Sequence, residues 1–149
     1  MISDVVFTKL SQFVDSRGAV LHMINKNSKT FLSFGEIYFS EILPGAIKAW
    51  KKHLKHTQNF AVPSGKIKLV LYDDRAHSTS KGELQIVEIG RPDDYLLVTV
   101  PPNLWYGFSC VGEEKALLVN CTDFPYDSNE SVVLNFDSNF IPYEWNERD

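Results

Sequence analysis

Cysteine is scarce in this 149-residue chain, where only Cys110 and Cys121 occur. Two cysteines exclude a disulfide framework and a cysteine-based metal knuckle, so both are read as free thiols. If they lie on neighbouring strands joined near Gly112, Cys110 faces roughly Lys115 rather than Cys121. No apolar run approaches the roughly 20 residues that a membrane helix needs. The densest, Leu69-Val70-Leu71-Tyr72, has the length of a strand. The opening Met1-Ile2-Ser3-Asp4 lacks the basic and then apolar regions of a secretory signal, which makes the cytoplasm the expected location. Net positive charge is also lacking. A formal value of −4 offers no general attraction to nucleic acid, so any anion binding has to be local. Histidine runs out early: none follows His77, and there is no His-x-His pair. A catalytic metal site takes about three well-placed ligands, so neither a metal nor another cofactor is expected. Phosphate-cradling glycine loops, nucleophile elbows, internal repeats and linkers are absent too. That leaves one domain over 1–149.

What the chain does have is β-forming sequence. Its 10 Phe, 6 Tyr and 3 Trp suit half-buried pleated surfaces. Runs rich in Val, Ile, Leu, Phe or Tyr predict strands over 5–10, 19–24, 34–42, 60–62, 66–72, 84–89, 95–100, 115–120 and 132–136. Turn residues punctuate them at Pro44-Gly45, Pro63-Ser64-Gly65, Arg91-Pro92-Asp93-Asp94, Pro101-Pro102-Asn103 and Gly112. Many short strands with frequent turns point to a sandwich or barrel rather than βαβ units. One stretch resists this reading. Over 46–56, Ile47, Trp50 and Leu54 recur at helical spacing, which by pattern alone is an amphipathic helix.

Several blocks share an order and spacing with a known family. They are Asp15-Ser16-Arg17-Gly18, then Pro44-Gly45-Ala46-Ile47-Lys48-Ala49-Trp50, then Gly65 through Arg75. They continue with Val100-Pro101-Pro102-Asn103-Leu104-Trp105-Tyr106-Gly107-Phe108, with Asn120-Cys121-Thr122-Asp123, and with Ile141-Pro142-Tyr143-Glu144-Trp145. Over nearly its whole length the chain resembles the dTDP-4-dehydrorhamnose 3,5-epimerases. The resemblance implies an all-β cupin fold (a double-stranded β-helix or jelly-roll barrel), a homodimer and a pocket for a nucleotide-linked sugar. It also turns 46–56 into a pocket-lining strand that leads into a loop.

The family's reaction moves protons on carbons beside a sugar ketone, which needs a positioned base and a donor for the enolate oxygen. The residues that do this in the family are replaced here. Its basic His falls on Lys51, its acidic Tyr falls on Val119, and the Asp that orients its His lies in a C-terminal extension for which this chain has no counterpart. A related group, the 3,4-ketoisomerases of dTDP-4-keto-6-deoxyglucose, carries a His-x-His at this place, and His53 matches its second member. Residues two apart on a strand share a face, so Lys51 and His53 are expected to project together into the lumen. The resemblance therefore implies His53 as base with Lys51 assisting. Tyr106 and Tyr38 are the candidate hydroxyl donors. Arg17, Lys48, Glu36 and Gln58 are the candidate substrate contacts, and Arg17 and Lys48 match family positions near the diphosphate. Glu36 alternates with Tyr38 on one strand and is a second acid–base candidate if that face is the lumen. His22, His56 and His77 carry no assignment, and His56 is read as a loop residue of structural use. The implied activity is epimerisation or ketoisomerisation of a dTDP- (or NDP-) 4-keto-6-deoxysugar without cofactor, for surface polysaccharide. The alternative is a catalytically silent cupin that binds such a ligand.

Overall fold

The structure, a computed structural model, describes residues 1–146. Twelve strands account for its regular structure, and no helix occurs among the described residues. In chain order they are β1 (Val6–Lys9), β2 (Gln12–Asp15), β3 (Gly18–Leu21), β4 (Glu36–Ile42), β5 (Ile47–His53) and β6 (Gln58–Ser64). They continue with β7 (Lys66–Tyr72), β8 (Leu84–Gly90), β9 (Leu96–Val100), β10 (Trp105–Cys110), β11 (Ala116–Thr122) and β12 (Ser131–Val133). Two five-stranded antiparallel sheets, β1-β9-β6-β11-β4 and β12-β5-β10-β7-β8, face each other, and β2 and β3 form a separate hairpin. This is the jelly-roll barrel expected from the resemblance.

Alternation builds the core between the two sheets. Ile67, Leu69 and Leu71 point inward from β7 and meet Phe60 and Val62 of β6, Val98 and Val100 of β9, and Leu118 of β11. Each is buried, and full burial of such a side chain contributes about 1.5–3 kcal/mol. The chain crosses from one sheet to the other between β6 and β7 at Gly65. Its φ of +71° and the Ala116 Cα, 2.6 Å from where a Cβ would stand, both require glycine there. On the outside of the second sheet, Trp50, Val70, Trp105 and Ile141 form a further cluster with Tyr143 and Trp145. The C-terminal segment is thereby fixed over the back of β5, where the Trp50 indole N–H donates to the Phe136 carbonyl at 3.2 Å.

β5 explains the helix-like pattern. It pairs with β10 as Lys51 to Tyr106 and Lys48 to Phe108, with a register shift between Tyr106 and Phe108. The irregularity puts two residues of β5, Ala49 and Trp50, against one of β10, Gly107, as a bulge does. Residues three apart on β5 therefore share a face: Ile47 and Trp50 outward, Lys48 and Lys51 inward. Beyond the bulge normal alternation resumes, so His53 follows Lys51 into the lumen. A helical spacing arises in a strand because one residue is extra.

Elsewhere the strand expectations need correction in two places. The segments 12–15 and 105–110, not expected as strands, form β2 and β10. Cys110 and Cys121 lie on β10 and β11, which belong to different sheets, so Cys110 does not face Lys115 across a hairpin. Its thiol donates instead to the Glu114 carbonyl at 3.0 Å. Both cysteines are free and buried.

Candidate active site

The site is assembled at the lumenal end of β5. The short β12 pairs antiparallel with β5, setting Ser131 against His53 and Val133 against Lys51. Glu130 stands just before β12, and its backbone is fixed by the Leu54 N–H, which donates to the Glu130 carbonyl at 2.8 Å. This pairing alone brings the Glu130 carboxylate to His53 from 77 residues away in sequence. Glu130 Oε1 hydrogen-bonds His53 Nδ1 and lies 3.3 Å from His56 Nδ1. Its Oε2 accepts from the Lys55 N–H at 3.4 Å. The two imidazoles lie parallel, 5.6 Å between centroids and 10° between planes. His53, His56 and Glu130 are 7%, 5% and 4% exposed, so this cluster is sheltered from bulk water.

Burial sets the proton states. It lowers the His53 pKa below the usual histidine value, against the opposing pull of the Glu130 hydrogen bond and charge. Burial raises that of Glu130, but the His53 hydrogen bond and the two neighbouring imidazoles outweigh it, and the carboxyl ends below its ordinary range. At neutral pH the pair is therefore a carboxylate beside a neutral imidazole. A carboxylate only accepts, so the proton on His53 resides on Nδ1 and the lone pair on Nε2. That nitrogen lies 3.0 Å from the Tyr106 hydroxyl, which donates to it. Burial pushes the Tyr106 phenol well above its usual pKa, with the charges of Tyr38 and Glu130 adding to the effect. It keeps its proton and is available as a donor. A second phenol faces it: the Tyr38 hydroxyl accepts from the Asn120 amide at 2.8 Å, leaving its own proton free to donate. Burial raises its pKa as well.

Two adjoining cavities open beside these groups. One, of about 370 Å³, is lined by Glu36, Tyr38, Lys51, His53, His56 and Glu130. The other, of about 320 Å³, is more apolar, with Phe60, Tyr106, Phe108 and Leu118 on its walls and Lys48 at one side. Tyr38 and Lys51 line both, so the two form one groove with the phenol and the ammonium at its waist. A larger concavity of about 770 Å³ lies on the far side, at the loop after β7. There Lys52 is paired with Asp74 at 2.8 Å and Arg75 with Asp73 at 2.9 Å, and none of the acid–base groups reaches it.

The structure thus brings together His53, Lys51, Tyr106, Tyr38, Glu36 and Lys48 around one groove. Lys48 is held at the rim by Ser40 Oγ at 2.9 Å and the Glu41 carbonyl at 2.6 Å. Two expected substrate contacts are not there. Gln58 is buried behind the wall, where its side chain accepts from Asn120 at 2.6 Å. Its short reach from β6 ends on that amide, so it supports Tyr38 through Asn120 instead of lining the groove. Arg17 sits in the exposed β2–β3 turn, paired with Asp15 at 2.7 Å, and does not reach the groove of its own chain because its hairpin lies outside both sheets. Glu130 escaped the sequence reading altogether, Asn120 was read only as part of a family block with no site role, and His56 was taken for a loop residue of structural use. The absence of an orienting carboxylate is also corrected, since Glu130 supplies one. No local pattern marks Glu130; only the β12–β5 pairing reveals it.

A jelly-roll barrel with a carboxylate–imidazole–phenol line beside an open groove has the parts of a proton-transfer site. No protein-family model matches the chain. It is 47% identical to the dTDP sugar isomerase of Desulfovibrio desulfuricans G20, with a TM-score of 0.95 over 97% of this chain and 92% of that one. It is 31% identical to the Probable low-salt glycan biosynthesis epimerase Agl13 of Haloferax volcanii over 149 residues, 97% of this chain and 95% of the relative. A dTDP-4-dehydrorhamnose 3,5-epimerase from Bacillus anthracis, crystallised with TDP and pyrophosphate, is 18% identical. It shares the fold at a TM-score of 0.83 over 96% of this chain and 85% of that one. The chain belongs to the cupin family of dTDP-sugar epimerases and isomerases.

Proposed function

We propose that the protein epimerises or ketoisomerises a nucleotide-linked 4-keto-6-deoxysugar for glycan assembly, by enolisation without a cofactor. The observation that carries this reading is the Glu130–His53–Tyr106 line against the groove. A proton on a carbon beside a ketone is acidic enough for an imidazole if the enolate oxygen meets a donor as charge develops. His53 Nε2 takes that proton, and Glu130 stabilises the imidazolium that forms. The Tyr106 hydroxyl, released from Nε2 at that moment, turns to the enolate oxygen, with Tyr38 and the Lys51 ammonium beside it. Return of the proton to the other face, or to the neighbouring carbon, gives the epimer or the isomer. Lys48 suits the diphosphate at the rim as a point charge, and Glu36 suits a sugar hydroxyl.

The reaction is placed in the cytoplasm, in keeping with two free, buried thiols. A homodimer is favoured by β4. This edge strand turns Ile37 and Phe39 outward at 47% and 65% exposure, and such an edge invites a second copy. The test of the activity is incubation with dTDP-4-keto-6-deoxyglucose in heavy water. Deuterium is expected at a carbon adjoining the ketone in the wild type and not in His53→Ala. Saturable binding with no exchange at either adjoining carbon, across several nucleotide bases, means a silent binding module instead.

A further inference from the structure

The acid–base reading uses one imidazole on Glu130, and the fold supplies two. His53 closes β5 and His56 follows three residues later, and both turn Nδ1 to the same carboxylate oxygen. The three donor atoms lie within 4.8 Å of one another and belong to side chains each more than nine-tenths buried. Orienting the base requires only one of these contacts. Two imidazoles and one carboxylate, with a cavity of about 370 Å³ beside them, form the His₂Glu donor set of an open zinc site. Zinc bonds of about 2.0–2.1 Å at tetrahedral angles put neighbouring ligand atoms roughly 3.3 Å apart. The His56 Nδ1 to Glu130 Oε1 separation is 3.3 Å, whereas His53 Nδ1 sits closer to that oxygen and has to draw back to admit an ion. The sequence reading set metals aside for want of a His-x-His pair and of a later histidine, and His56 and Glu130 fill those places.

We propose that His53, His56 and Glu130 form a site for Zn²⁺ and similar imidazole-seeking divalent ions, and that occupation of the site stops the proton chemistry. The ion takes the position of the Nδ1 proton of His53. The single N–H proton of the neutral imidazole then moves from Nδ1 to Nε2, so the lone pair that accepts the substrate's proton is lost. Metal-bound and catalytic states thus exclude each other at one nitrogen. The cavity beside the three ligands leaves room for water or a substrate oxygen as a fourth ligand.

The experiment is a calorimetric titration of the metal-free full chain with Zn²⁺ alone, so its outcome does not depend on any sugar. One ion per chain is expected. His56→Gln and Glu130→Gln should each weaken binding by more than the roughly 10–100-fold that loss of a mere supporting partner costs. The exposed His22 and His77, replaced together by Asn, should leave binding unchanged. Absence of saturable binding overturns the site, as does binding that survives both ligand substitutions. In a second arm, stoichiometric Zn²⁺ should abolish exchange from the keto sugar in heavy water, and a chelator should restore it. Undiminished exchange by the zinc-loaded protein overturns the shut-off. If the metal-free protein shows no exchange at all, the enzymatic reading fails, and the titration still decides the metal site.

Discussion

A carboxylate buried between two imidazoles is tolerable only because it is hydrogen-bonded; removing a partner from a buried charge typically costs about 3–5 kcal/mol. That asymmetry decides how Glu130 should be probed. Glu130→Gln keeps the shape and an acceptor for Nδ1–H but removes the charge that stabilises the His53 imidazolium. The substitution is expected to lower kcat by the order of 10²–10⁴-fold, the usual worth of a general acid–base group. KM should move little, because the Glu130 carboxylate is taken up by His53 Nδ1 and the Lys55 N–H. Steady-state kinetics separate the cases: a rise in KM with kcat preserved assigns Glu130 to binding and rejects its role as the positioning residue. The two phenols belong to the same argument. Burial keeps both protonated, and Asn120 and Gln58 hold Tyr38 from behind.

At the scale of elements, β5 is what makes the site, and its bulge is what makes β5. Lys48, Lys51 and His53 share the lumen only because the register slips between Tyr106 and Phe108. Gly107 occupies that slip, and a Cβ there would stand 2.5 Å from the Ala49 Cβ and 2.9 Å from the Trp145 ring. Gly107→Ala must therefore push β5 or the C-terminal cover aside. We expect a loss of about 1–3 kcal/mol, typical of overpacking, read as a lower midpoint in thermal or urea unfolding. Catalysis should fall as well, since Lys51 lies opposite Tyr106, next to the slip. An unchanged midpoint would show that the close approach relaxes without cost. The same bulge hid the strand in the sequence. Ile47, Trp50 and Leu54 mimic a helix because periodicity cannot tell an extra residue in a strand from a turn of helix. By contrast β7, Lys66–Tyr72, was legible in full, since regular alternation and a glycine turn before it leave one reading.

For the whole molecule the open surface is the outer face of β4. Ile37 and Phe39 lie there on an edge strand, with Leu32 and Phe34 exposed at 66% and 64% in the segment leading to it. Apolar side chains beside unpaired backbone groups favour association with a second copy. Light scattering behind a sizing column should give twice the chain mass, and Phe39→Glu should shift the species toward the monomer. A wild-type monomer at micromolar concentration removes this reading without touching the site, which lies in the lumen of one chain.

The sequence by itself determined the class of fold, because alternation, aromatic content and turn residues are local properties that each strand carries with it. It also named His53 and Lys51 through the family's His-x-His position, and Tyr38 and Tyr106 as candidate hydroxyl donors, without showing that they meet at one groove. Tertiary structure decided what no segment contains: which carboxylate meets His53, that His56 joins it, and that Gln58 and Arg17 stand away from the groove. These depend on pairings such as β12 with β5, made by residues far apart in the chain. Such pairing is set by backbone hydrogen bonds and packing, to which the identity of residue 130 contributes almost nothing. Glutamate at that position becomes informative only once the barrel has closed around it.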